Sequence, residues 1–138
     1  MSSPEKPILV SACLMGYRTR YDAAAKPSTA CRNRLADAIW LPVCPEQLGG
    51  LSTPRPAAEL VGGDGRAVLQ GRARVVTVTG IDVSENFLRG AEICLAIARA
   101  QGCCVACLKG RSPSCGMSPA LGVTAALLRD HGIVVEEF

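Results

Sequence analysis

Aromatic side chains are scarce in this chain, with two Phe, two Tyr and one Trp among 138 residues. Stacking platforms for single-stranded nucleic acid need several such faces, and here there are few. Charge is also thin. Fifteen Lys and Arg face 12 Asp and Glu, and the resulting net charge of +3 is scattered, which argues against a nucleic-acid partner. No apolar run approaches the roughly 20 residues of a membrane-spanning helix. Met1 to Pro7 lacks the apolar core of a signal peptide, so a cytoplasmic protein with no membrane partner is expected. Histidine occurs once, as His131, which weakens any reading as a histidine-ligated catalytic zinc site. Its place just before Gly132 suits a cation capping a helix end.

What is present is an ordinary globular composition, 49% apolar and 20% charged, in a length that fits one domain over residues 1–138. Eight cysteines are the exception. In a reducing compartment they are buried small hydrophobes, metal ligands or catalytic groups, and local context sorts them.

Pro7 to Ser11 reads as a buried strand that ends at Cys13. The polar loop Tyr17 to Asp22 is either a pocket rim or simply solvated. Ser28 caps an expected helix to about Ala38, with Cys31 and Leu35 on its inner face. Ile39 to Val43 is a second strand, and Pro45 stops it at Cys44 because proline offers no N–H to a ladder. Cys44 and Glu46 are thus delivered together at a strand's carboxyl end. Residues 49–66, rich in Gly and Pro, read as a long connection walling the site. A hairpin is expected about Gln70-Gly71. Asp82 to Glu85 has capping-box spacing and opens the longest helix, whose apolar stripe includes Phe87, Ala91, Cys94 and Ala98. Cys103 to Leu108 is a third buried strand. Cys104 and Cys107 lie three apart on it, so they face opposite ways and cannot share one atom. The strand runs into Arg111-Ser112-Pro113-Ser114-Cys115-Gly116. A helix ending near His131 and a strand Ile133 to Val135 close the chain.

This alternation predicts an α/β fold, a small three-layer Rossmann-like domain with a mainly parallel sheet of about four strands and a β-hairpin insertion. Parallel strands share one carboxyl edge, the usual ligand edge of such sheets. Cys13, Cys44 and Cys115 should meet there. Three thiolates leave one position of a metal centre open, and soft ligands select zinc, copper(I) or an iron–sulfur cluster. Spacing does not choose among them. A non-enzymatic iron–sulfur carrier or a zinc-binding module fits the same cysteines.

Beyond spacing, Ile8 to Gly16, Pro42 to Leu51 with Thr53-Pro54-Arg55, and Leu108-Lys109 with Arg111 to Gly116 resemble the DUF523 family. Gly80 to Val83 and Gly122 to Leu128 fit it too. That family includes thiouracil desulfidases. The resemblance implies a [4Fe-4S] cluster bound by Cys13, Cys44 and Cys115 with one open iron. It further implies non-redox desulfuration of a thiolated pyrimidine or related thioamide, with 2-thiouracil giving uracil and hydrosulfide. A small-molecule thiolated substrate follows, and a thiolated nucleoside of transfer RNA is a further candidate. By motif position the assisting glutamate is Glu46 and the serine is Ser112, with neighbouring Ser114 as the alternative. The family commonly has cysteine where Thr19 stands, so that position is not an obligatory ligand. Its longer segment is shortened here to Met117–Leu121, which bears on the opening of the site and on substrate choice.

Overall fold

Strand β1 (Ile8–Ser11) runs through the middle of the main sheet, and its last three residues are buried. The computed structural model describes residues 6–138; Met1 to Glu5, part of the stretch read for leader character, lie outside it. On either side of β1 lie β2 (Trp40–Val43) and β5 (Val105–Leu108), and β6 (Val134–Glu137) completes the order β2-β1-β5-β6. Every pairing in this sheet is parallel, with Leu9 opposite both Leu41 and Ala106. All four carboxyl ends therefore lie on one edge.

Alternation along the strands builds three layers. Leu9, Val43, Ala106 and Leu108 pack against α4 (Ser84–Gln101) and α5 (Val123–Asp130) through Cys94, Leu95, Ala98, Ala125 and Leu128. Val10 and Cys107 point the other way, onto Leu14, Cys31 and Leu35 around α1 (Thr29–Arg34). Cys31, Cys94 and Cys107 are thus core, while Cys104 is exposed. Burial pushes the Cys107 thiol up to about 12, as expected of an inert buried thiol.

The expected insertion is present as an antiparallel pair, β3 (Ala58–Val61) and β4 (Arg74–Thr77), with Glu59 opposite Val76. Its turn is not at Gln70-Gly71. A helix α3 (Gly65–Leu69), capped by Asp64, joins the strands, and Gln70 ends that helix. The connection 49–66 is consequently not structureless, since β3 and the start of α3 fall inside it. These two strands and α3 cover Phe87 and Val83 of the α4 segment in a second apolar cluster. Burying a phenylalanine completely contributes about 1.5–3 kcal/mol, which ties the insertion to the longest helix.

Two helix ends differ from expectation. Ser28 caps α1 through the Cys31 N–H, but the helix stops at Arg34 and continues only as turns to Ala38. Asp82 does not cap α4. It bridges to Val76 and accepts from Ser84 N, so the helix starts at Ser84 and the capping box is not formed. His131 does end α5, and Arg99 Nη2 lies 2.7 Å from its Nδ1. Among the described residues no helix is long and apolar enough to cross a membrane.

Candidate active site

Each of the three strand-end cysteines is set by a different local device. Cys13 sits in a 3-10 turn, Ala12–Met15, that follows β1 directly and ends at Gly16 in a left-handed conformation. Cys44 is the N-cap residue of a one-turn helix α2 (Pro45–Leu48), with Pro45 at its first position and Glu46 in its first turn. Cys115 lies in the loop after β5. There the N-terminus of α5 holds the backbone: Val123 N donates to Pro113 O, and Thr124 N and Ala125 N donate to Ser114 O. These are N–H groups a helix cannot satisfy internally, and the loop supplies their acceptors. Gly116 has to be glycine because a Cβ there would lie 2.8 Å from the backbone of Ser112.

All three thiols line one cavity of about 400 Å³ at the carboxyl edge of the sheet. Burial pushes the Cys13 thiol up, nearby Cys44 adds to this, and Lys109 and Arg20 oppose it. Cys115 is pushed up to about 12 by burial, against hydrogen bonds from Ser11 and Ser114. Cations supply the surroundings: Arg20, Lys26, Lys109 and Arg111 line the cavity, whereas Glu46 is the one carboxylate lining it among the described residues.

Glu46 is only 15% exposed and is held from two sides. Arg55 Nε donates to its Oε1 at 3.0 Å, and Ser114 Oγ donates to its Oε2 at 3.2 Å. Ser114 is 1% exposed, and its Oγ also lies 3.6 Å from Cys115 Sγ. Ser112 stands one step further out. Its Oγ is 3.0 Å from Ser114 Oγ and accepts from Ser114 N and Cys115 N, which shapes the loop. The carboxylate therefore meets Ser114, with Ser112 behind it. Thr19 faces the site through its carbonyl, which receives Cys44 Sγ at 3.6 Å.

Three groups escaped the reading of single residues. Arg55 stood only as a member of a quoted motif, yet its side chain is 5% exposed beside Glu46. Ser11 and Lys109 are joined by a bond from Lys109 N to Ser11 Oγ at 2.9 Å. Lys109 directly follows a buried strand, a position that could have flagged it. Ser11 carries no such signal, being one small residue on a strand. The expected wall 49–66 contributes Arg55, Ala57 and Ala58, and the polar loop contributes Thr19, Arg20 and Tyr21, so it is a rim.

The donor set tests what such a site could hold. Among the described residues no three His, Cys, Asp or Glu side chains converge closely enough for a metal ion. One zinc ion needs its thiolates within bonding reach of a single point, at about 2.3 Å each. A cluster with several irons takes each thiolate on a different metal atom and tolerates wider spacing. Three thiols around one roomy cavity suit the second case.

Comparison with known proteins gives the same direction. A family model described as 2-thiouracil desulfurase matches residues 8–137. An uncharacterized protein of Bacillus subtilis (strain 168), YbbK, is 41% identical over 137 residues, covering 91% of each chain. A solved structure of a [4Fe-4S]-dependent thiouracil desulfidase, TudS (DUF523Vcz), superposes with a TM-score of 0.79 at 41% identity, covering 96% of this chain and 91% of that one.

Proposed function

This chain belongs to the 2-thiouracil desulfurase family, and from that premise we propose that it hydrolyses the C=S group of a thiolated pyrimidine or related thioamide. In this reading Cys13, Cys44 and Cys115 hold a [4Fe-4S] cluster and leave one iron free of protein ligands. The observation that carries it is one cavity lined both by three thiols and by a carboxylate that a serine and an arginine already engage. When bound, the cluster supplies a soft Lewis acid matched to thiocarbonyl sulfur.

The chain's own residues handle water and protons. Glu46 takes a proton from the attacking water as general base. Water oxygen bonds to the thioamide carbon, and sulfur takes up one of the two water protons. Sulfur leaves as hydrosulfide as its bonds to carbon break, and the other water proton is released to solvent. The carbonyl compound remains, and no electrons are exchanged with the protein. Ser114, bonded to Glu46 Oε2, and Ser112 beyond it pass the proton between the carboxylate and the leaving sulfur. Arg20, Lys26 and Lys109 at the cavity favour the anionic character that the thiolates and departing hydrosulfide bring.

The test is anaerobic reconstitution with iron and sulfide, followed by assay of hydrosulfide release from 2-thiouracil and other thiolated bases. Cys13→Ser, Cys44→Ser and Cys115→Ser should each lose cluster iron, while Cys31→Ala and Cys94→Ala should retain it. Glu46→Gln should keep the cluster spectrum and lose on the order of a hundred- to ten-thousand-fold in rate. A wild type with a full cluster that is silent on every thioamide would sink the enzymatic reading and leave a cluster-carrying module.

A further inference from the structure

Arg55 carries five N–H donors, and each has an acceptor within reach. Nε is 3.0 Å from Glu46 Oε1; Nη1 is 3.2 Å from Ser52 O and 2.8 Å from Thr53 Oγ1; Nη2 is 3.0 Å from Thr19 O and 3.9 Å from Cys44 Sγ. Its backbone N–H donates to Tyr21 O at 2.8 Å. A guanidinium has no donors beyond these five. At 5% exposure, a charged side chain is tolerated only when paired and hydrogen-bonded throughout, as this one is. Three separate pieces of chain therefore meet on one side chain: the end of β2 with α2, the rim loop at Thr19–Tyr21, and the Ser52–Thr53 turn.

We propose that Arg55 is a positioning residue: it fixes one oxygen of Glu46 so that the other stays on Ser114, and it holds the rim loop against Cys44. The inference rests on Glu46 being the base of the proposed function. With its donors saturated, Arg55 has none to spare for a substrate. Its fork geometry is what counts, because an ammonium at the same place is a point charge that cannot serve four directions at once. Losing it leaves Glu46 free to rotate away from Ser114. A misplacement on the scale of 1 Å at such a group costs on the order of 10²-fold.

The decisive variant is Arg55→Lys in the reconstituted holoenzyme, compared with wild type, Glu46→Gln and the double variant. Expected is a fall in kcat for hydrosulfide release on the order of 10²-fold, with KM changed by less than about threefold, since only the orientation of the base is lost. Iron and sulfide content should match wild type. Guanidinium ion added to Arg55→Ala should restore part of kcat, whereas ammonium should not. Unfolding midpoints of the four proteins should be non-additive, because Arg55 and Glu46 share a network. Retained kcat in Arg55→Lys, or a raised KM with kcat intact, overturns the proposal; the second outcome would make Arg55 a substrate contact. If Arg55→Ala does not fold, Arg55→Lys and the midpoint cycle decide alone. If wild type releases no sulfide from any thioamide, the functional reading fails by itself. The cycle then still judges the clamp: additive midpoints overturn it, and coupled midpoints support it.

Discussion

Thr124 is fully buried at the start of α5, and its Oγ1 has no hydrogen-bond partner among the described residues. A hydroxyl in that state costs its desolvation and gains nothing in return, about 1–3 kcal/mol when no partner is found. Thr124→Val has the same shape without the oxygen. The unfolding midpoint of Thr124→Val should therefore equal or exceed that of wild type; a clear drop would reveal a partner for the hydroxyl. Much at this scale is legible in the sequence. Cys31 and Cys94 follow helical spacing and are core, and Cys13, Cys44 and Cys115 follow strands and line the cavity. Arg55 is not legible in the same way. Its function depends on acceptors at Thr19, Cys44 and Glu46, which adjoin it only after folding. Motif position puts Ser112 ahead of Ser114, whereas in the fold the Ser114 hydroxyl bonds the carboxylate and the Ser112 hydroxyl bonds the loop backbone.

At the scale of elements, the placement of Glu46 rests on two glycines. Helix α2 lies on α4 with backbone nearly touching backbone: a Cβ on Gly90 would stand 1.9 Å from Pro45 O, and one on Gly49 would stand 2.0 Å from Asn86 O. Asn86 Nδ2 adds a bond to Gly49 O at 2.9 Å. Neither backbone can yield cheaply, because each atom belongs to a helix or its cap. Gly90→Ala should thus destabilise by about 1–3 kcal/mol through overpacking, although alanine is the better helix former. It should also lower cluster loading by pushing Cys44 and Glu46 outward. Ala96→Ser, on the exposed side of the same helix, should change neither midpoint nor iron content; normal loading in Gly90→Ala would show that α2 is not held by this contact. The same scale explains what could not be read beforehand. Helices α2 and α3 span four and five residues, too short to display a 3.6-residue period. Gln70-Gly71 has the composition of a hairpin turn, but Gly71 follows a helix end and adopts a positive φ there. The four parallel strands and the two long helices carry strong patterns and stand where the patterns put them.

Across the whole molecule, the loop bearing Cys115 is secured by the far end of the chain. Glu137 on β6 accepts from Met117 N and from Ser118 N, and Phe138 O accepts from Gly110 N at 2.7 Å. The shortened segment Met117–Leu121 is thereby clamped at its start by a carboxylate belonging to an edge strand. These N–H bonds, with Met117 contributing most, hold the Glu137 carboxyl below its ordinary value of 4.5. A depressed folded-state pKa means that the stabilisation is fully present above the unfolded value. It is lost as pH falls from about 4.5 through the lower folded value. Glu137→Gln keeps an acceptor oxygen but has no charge to lose. At neutral pH wild type should therefore unfold at a higher temperature than Glu137→Gln, and Met117 and Ser118 amides should exchange faster in the variant. As the pH drops below about 4.5 the gap between the two midpoints should close, because protonated Glu137 is no better an acceptor than glutamine. A gap that stays constant from pH 7 to pH 3 would mean that the carboxylate charge does not hold this loop.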